Sequence, residues 1–185
     1  MKRTFLFLTL ILCWSQTNAQ LQSPAEFLGY ELGDKFTQHY RVVDYFKHVA
    51  NSANVKLEEY GRTYEDRPLL LAYVASADNM AKLETIRTDN LKRTGLLAGT
   101  PTTNVSIVWL SYNVHGNEAN STEAAMATIY KLITEHQDWL ENTVVIIDPC
   151  INPDGRETSS RIWNSAAVRY SCSSKVGMDP VSRIC

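Results

Sequence analysis

The chain has 185 residues, 44% of them hydrophobic and 21% charged, with a formal net charge of −2. These are the fractions of an ordinary globular protein. So small a charge gives no electrostatic case for nucleic acid or an anionic membrane as partner.

In chain order, the first segment reads as an export signal. Lys2 and Arg3 form a positive start, an apolar run covers 5–14, and 15–20 is polar with small residues at Thr17 and Ala19. The pattern predicts a signal peptide over 1–19, cleavage after Ala19, and a secreted or periplasmic product. The apolar run is too short for a bilayer span, which needs roughly 20 residues, so no membrane span is expected after its removal. Cys13 raises a lipoprotein signal as an alternative, against which the bulky Leu12 stands. The remainder is long enough for one compact domain. It keeps Cys150, Cys172 and Cys185. This odd number allows one bridge, leaves at least one thiol unpaired within the monomer, and gives no disulfide framework.

Apolar residues at three- and four-residue steps (Phe36, Tyr40, Val43, Phe46, Val49) predict a helix over 34–51. Strands are expected over 55–60 and 67–74, joined by a hairpin or loop over 61–66. A second amphipathic helix over 78–93 ends near Gly95, and a loop covers 96–104. The run 105–110 is apolar and β-branched enough for a buried strand. A helix over 122–140 follows, capped by Ser121 or Asn120, with Glu123 in its first turn where the helix dipole favours a negative charge. A second buried strand covers 144–147 and runs into 148–155. This order predicts an α/β fold, a mixed central sheet flanked by helices, with site loops beyond the carboxyl ends of strands. Serine crowds the stretch 158–185, which shows no sustained helix or strand period and is expected to be poorly ordered.

The chemistry sits where the strand ending at Leu110 meets Ser111-Tyr-Asn-Val-His-Gly-Asn-Glu118. A histidine and a glutamate three residues apart, in a turn freed by Gly116, can face one metal ion. Imidazole nitrogen and carboxylate oxygen are zinc donors at about 2.0–2.2 Å, and two histidines with one glutamate form a catalytic set with an open fourth position. Zinc in such a set acidifies a water and polarises a carbonyl. His-x-x-Glu alone is a weak pattern. A buried strand before it, glycine beside the histidine and a second site loop one βα unit later all strengthen it.

Asn113-Val-His-Gly-Asn-Glu118, followed by Asn152-Pro-Asp-Gly155, resembles the zinc metallocarboxypeptidase family of the carboxypeptidase A/B type. Tyr60-Gly-Arg-Thr-Tyr-Glu-Asp-Arg-Pro68 is similar to a strand-turn-strand segment of the same family. The likeness covers 34–157, within a catalytic-domain part spanning 20–157. It implies Zn²⁺ as cofactor, His115 and Glu118 as metal ligands, Asn152 to Gly155 as a wall of the substrate pocket, and a peptide or protein as substrate. It also implies an arginine after the second motif that stabilises the oxyanion. Arg156 is the candidate for that substrate-binding role, with Arg161 and Arg169 as later options. Asp154 and Glu157 are expected to be a loop-capping residue and an exposed carboxylate.

The family also uses a second zinc histidine, an Asn-Arg pair for the substrate carboxylate, and a general-base glutamate near its C-terminus. No histidine follows His136, itself expected to be an exposed helix-end residue, and no Asn-Arg pair occurs. The stretch 158–185 is therefore expected to be a tail unrelated to the family, as a frameshift or premature stop would produce. Three readings follow: a truncated, inactive zinc carboxypeptidase; a zinc amidase or deacylase of the same fold acting on cell-wall peptides or acyl-amino acids; or a non-catalytic fragment.

Overall fold

The computed structural model describes residues 21–174, with side chains through residue 165. The expected signal over 1–19, Cys185 and the side chains of Cys172 and Arg169 lie outside the described residues. No helix of the described residues is long and apolar enough to cross a membrane.

The elements are α1 (Pro24–Leu28), α2 (His39–Val49), β1 (Val55–Arg62), β2 (Pro68–Val74), α3 (Ala77–Met80), α4 (Leu83–Arg93), β3 (Ser106–Ser111), α5 (Ser121–Thr134), a 3-10 helix (Gln137–Glu141), β4 (Thr143–Asp148) and α6 (Pro153–Ser174). The four strands form one mixed sheet in the order β1-β2-β4-β3. β2 lies antiparallel to β1 and β4, and β3 lies parallel to β4 from Ser106↔Thr143 to Ser111↔Asp148. α5 makes the crossover between the parallel pair, so the chain leaves both strands at the same end of the sheet.

Alternation along β2 and β4 sorts the core into two layers. Leu70, Ala72, Val74, Val145 and Ile147 pack against Val42, Phe46 and Val49 of α2 and Met126 and Ile129 of α5. Leu71, Val144 and Ile146 face the other way, onto Ile86 of α4. Each fully buried aliphatic side chain contributes about 1.5–3 kcal/mol.

Four expectations are corrected. The helix expected over 34–51 starts at His39, not at residue 34, because two carboxylates capture the backbone before it. Glu123 accepts from Gly33 N (2.8 Å) and Thr37 N (3.1 Å), and Glu157 from His39 N (3.3 Å). The helix expected over 78–93 is broken between Met80 and Leu83, where Asn79 Nδ2 donates to the Leu140 and Glu141 carbonyls. The helix expected over 122–140 stops at Thr134, and a 3-10 turn carries Leu140 into the core. β3, expected to be buried, is an edge strand with Val108 41% and Trp109 59% exposed, since no strand of the described residues pairs on its outer side.

A fifth difference concerns the serine-rich stretch, which is helical as far as Ser174. α6 is nucleated by a strong start: Asn152 Oδ1 accepts from Gly155 N at 3.0 Å, Pro153 occupies the first helical position, and Asp154 sits in the first turn.

Candidate metal centre

β3 and β4 aim their carboxyl ends at one place, and the backbone joins the segments that follow. Tyr112 N donates to Asp148 O (3.0 Å), Ile151 N to Tyr112 O (3.0 Å) and Asn152 N to Asn113 O (3.2 Å). Asn152 Nδ2 reaches Val114 O at 3.2 Å. Gly116 lies so close to Gly155 that a Cβ there would overlap the Gly155 carbonyl, so glycine is required at this crossing.

The chain turns between the strand and α5 through Asn113, a non-glycine residue with φ 58°. The fully buried Asn113 side chain holds that conformation: Nδ2 donates to His115 O (2.8 Å) and Oδ1 accepts from Thr122 Oγ1 (2.7 Å). Ser121 Oγ, expected as a helix cap, accepts from Asn113 N instead (2.7 Å). The loop so formed places His115 Nδ1 2.9 Å from Glu118 Oε1, with side-chain exposures of 76% and 35%. The hydrogen bond with His115 holds the Glu118 carboxyl below its ordinary range, against a smaller effect of desolvation.

Arg156 does not occupy the substrate-facing position expected of it. It is fully buried, with Nε on Thr37 O (2.9 Å), Nη1 on Asn113 Oδ1 (2.9 Å) and the guanidinium 4.5 Å from the Phe36 ring centre. Glu157, expected to be exposed, is buried at the start of α2, where it accepts from His39 N and Gln38 Nε2. Arg161 is exposed and lies 3.5 Å from Glu157. Asp154, expected to cap its own loop, instead binds Arg67 Nη1 and Thr63 Oγ1 of the β1–β2 hairpin. His136 stacks on Trp139, with ring centres 4.2 Å apart. Cys150 is a buried free thiol whose pKa burial pushes up to about 12.

The sequence reading missed Asn113, Ser121 and Thr122 as supports of the ligand loop. An asparagine at the tight turn out of a strand was the available signal for the first, since that residue type tolerates positive φ. Likewise Asn-Pro-Asp is a helix-start signature, which makes the second motif a helix terminus as well as a loop.

The donor types and their convergence fit a zinc ion as far as they go: one imidazole nitrogen and one carboxylate oxygen, open to solvent on one side. Among the described residues no third histidine, cysteine, aspartate or glutamate completes a metal-binding group.

Comparison with known proteins agrees with this architecture. The family model described as zinc carboxypeptidase matches residues 42–181. Carboxypeptidase A from Helicoverpa armigera superposes with a TM-score of 0.52 at 19% identity, covering 71% of this chain and 31% of that one. Bovine thrombin-activatable fibrinolysis inhibitor, solved in complex with tick carboxypeptidase inhibitor, gives 0.50 at 14% identity, covering 70% and 36%. The fold is therefore a carboxypeptidase-like α/β fold. The chain belongs to the zinc carboxypeptidase family, and it spans about a third of the length of these structures. The family match runs past Glu157, where the resemblance of the motifs ends, into the helical stretch.

Proposed function

We propose that this chain is part of an exported zinc-dependent peptidase of the metallocarboxypeptidase type, to which it contributes His115 and Glu118 as two metal ligands. The observation that carries the reading is the 2.9 Å approach of His115 Nδ1 to Glu118 Oε1 on a solvent-open loop. That loop is knitted to the Asn152-Pro-Asp-Gly155 turn at the carboxyl ends of two parallel strands. Zinc held there would polarise a scissile carbonyl and acidify the attacking water. The chain's own part is to hold the two donors at fixed spacing and to wall the adjoining space with Asn152 to Gly155. The substrate is a peptide or protein with a free C-terminus. Export rests on Lys2 and Arg3, the apolar run over 5–14 and the small residues before the cleavage position.

By itself this chain is expected to have little or no peptidase activity, because the described residues bring neither a third ligand nor a general base to the pair. That β3 is an edge strand among the described residues favours the same view, that of a fragment with two ligands. The test is zinc-loaded chain offered matched peptides with free and blocked C-termini, alongside a His115→Ala variant. Weak, His115-dependent zinc binding without turnover is the expected result. Robust release of the C-terminal residue from the free peptides would overturn the inactive reading, and zinc uptake indifferent to His115 would overturn the site.

A further inference from the structure

The metal-ligand pair is exposed, yet what shapes it is buried. Asn113 has every polar group engaged: N on Ser121 Oγ, O with Asn152 N, Nδ2 on His115 O, and Oδ1 with both Thr122 Oγ1 and Arg156 Nη1. Arg156 Nη1 also lies 3.4 Å from Glu118 O and 3.3 Å from Ala119 O. One guanidinium edge thus reaches the residue that opens the ligand loop and the carbonyls that close it. Its other contacts are rigid: Nε is held by the Thr37 carbonyl and the plane lies over Phe36. Arg156 sits in the first turn of α6, whose start is fixed by the Asn152 cap and by Asp154 on the hairpin.

We infer that Arg156 is a positioning residue, which acts through Asn113 and the Glu118 and Ala119 carbonyls to set the spacing of His115 and Glu118. This rests on the reading of His115 and Glu118 as metal ligands, and it replaces the substrate contact expected of Arg156. The chemistry favours arginine over lysine. Its planar fork satisfies Thr37 O and Asn113 Oδ1 from separate nitrogens in fixed directions, whereas an ammonium on a flexible stem has no such geometry. The charge also strengthens the bond to Asn113 Oδ1, which draws the amide into the orientation that lets Nδ2 hold His115 O. Groups behind metal ligands commonly change affinity by about ten- to a hundredfold when removed.

The experiment uses the full chain, labelled with ¹⁵N, as wild type and as Arg156→Met, Arg156→Lys, Asn113→Gly and Val42→Ala. Glycine adopts the positive φ at 113 without strain, so Asn113→Gly removes the amide and keeps the turn. Val42 is a fully buried α2 residue far from the loop in sequence, and its truncation reports general destabilisation. Two readouts are taken: amide resonances of 113–119 without metal, and zinc affinity by competition with a chromophoric chelator. Arg156→Met and Asn113→Gly should displace the 113–119 resonances and weaken zinc by about ten- to a hundredfold. Arg156→Lys should recover only part, and Val42→Ala should lower the melting temperature with both readouts at wild-type values. Wild-type resonances over 113–119 in a folded Arg156→Met or Arg156→Lys chain would overturn the inference. Should wild-type zinc binding prove independent of His115, the metal reading falls, and the metal-free resonances still decide the role of Arg156. If Arg156→Met does not fold, the lysine and Asn113→Gly variants carry the decision.

Discussion

Thr63 Oγ1 donates a 2.7 Å hydrogen bond to Asp154 Oδ1 across 91 positions of sequence. This contact, with the ion pair from Arg67 Nη1, fastens the β1–β2 hairpin to the first turn of α6. Burial raises the Asp154 pKa, but hydrogen bonds from Thr63 and Arg67 outweigh it and hold the carboxyl below its ordinary value. Asp154→Ala removes the acceptor and leaves Arg67 with Glu65 alone. The expected loss is about 1–3 kcal/mol, the cost of leaving partly buried polar groups unpaired. Urea denaturation of Asp154→Ala, with Asp154→Asn keeping part of the bonding, measures it. A wild-type midpoint would show that the hairpin is held by other contacts.

His39 gives the fold a pH dependence with a defined sign. Burial lowers its pKa, the Pro68 carbonyl and Glu157 oppose that, and Arg67 and Arg156 add to it. The imidazole is therefore neutral in the folded chain at a pH where the unfolded chain has begun to bind a proton. Its contribution is complete above the unfolded value of about 6.5 and is lost as pH falls through the depressed folded value. Urea midpoints taken from about pH 7.5 down to about pH 5 should fall more steeply for wild type than for His39→Gln. Parallel profiles would remove His39 from the account.

Gly116→Ala is expected to damage the site by displacement. The added methyl meets the Gly155 carbonyl, which is backbone in the first turn of a helix and cannot swing aside as a side chain would. Overpacking of this kind costs about 1–3 kcal/mol. The amides of 115–118 and of 152–155 should shift together in a heteronuclear spectrum, because the two loops must separate. Shifts confined to the first loop would mean that the ligand loop yields alone.

The free edge of β3 should govern solution behaviour. Val108 and Trp109 are exposed on opposite faces of an uncharged strand, and no strand of the described residues pairs along its outer side. Such edges template association, and charge on them blocks it. Val108→Lys is expected to lower concentration-dependent light scattering, with a melting temperature close to wild type. Unchanged scattering would place the sticky surface elsewhere.

Much of the fold was legible because periodicity reports local packing. Val43, Phe46 and Val49 marked α2, and the run Val144 to Ile147 marked a strand buried on both faces. Periodicity says nothing about neighbours, so the equally apolar Ile107 to Leu110 read as interior although the strand lies at an edge. α6 was hidden for another reason. After Pro153, its buried positions near the start are Arg156, Glu157 and Ser160, which no hydrophobic pattern announces. The partners of Arg156 and Glu157, which are Thr37, Asn113 and His39, come from distant parts of the chain. His115 and Glu118 were found because the paired donors are local, while the brace behind them depends on contacts 37 to 119 positions apart.

That distance has a consequence for motion. The hydrogen bond from Arg156 Nε to Thr37 O spans 119 positions and joins the ligand loop, through Asn113, to the segment just before α2. A surface loop normally exchanges its amide protons through local openings of low free energy. Here one of the donors that hold 113–119, Arg156 Nη1, is lost when α6 parts from the N-terminal layer. The protected amides of this loop should therefore exchange with the globular core, so that an exposed pair of side chains shares the cooperativity of the whole domain.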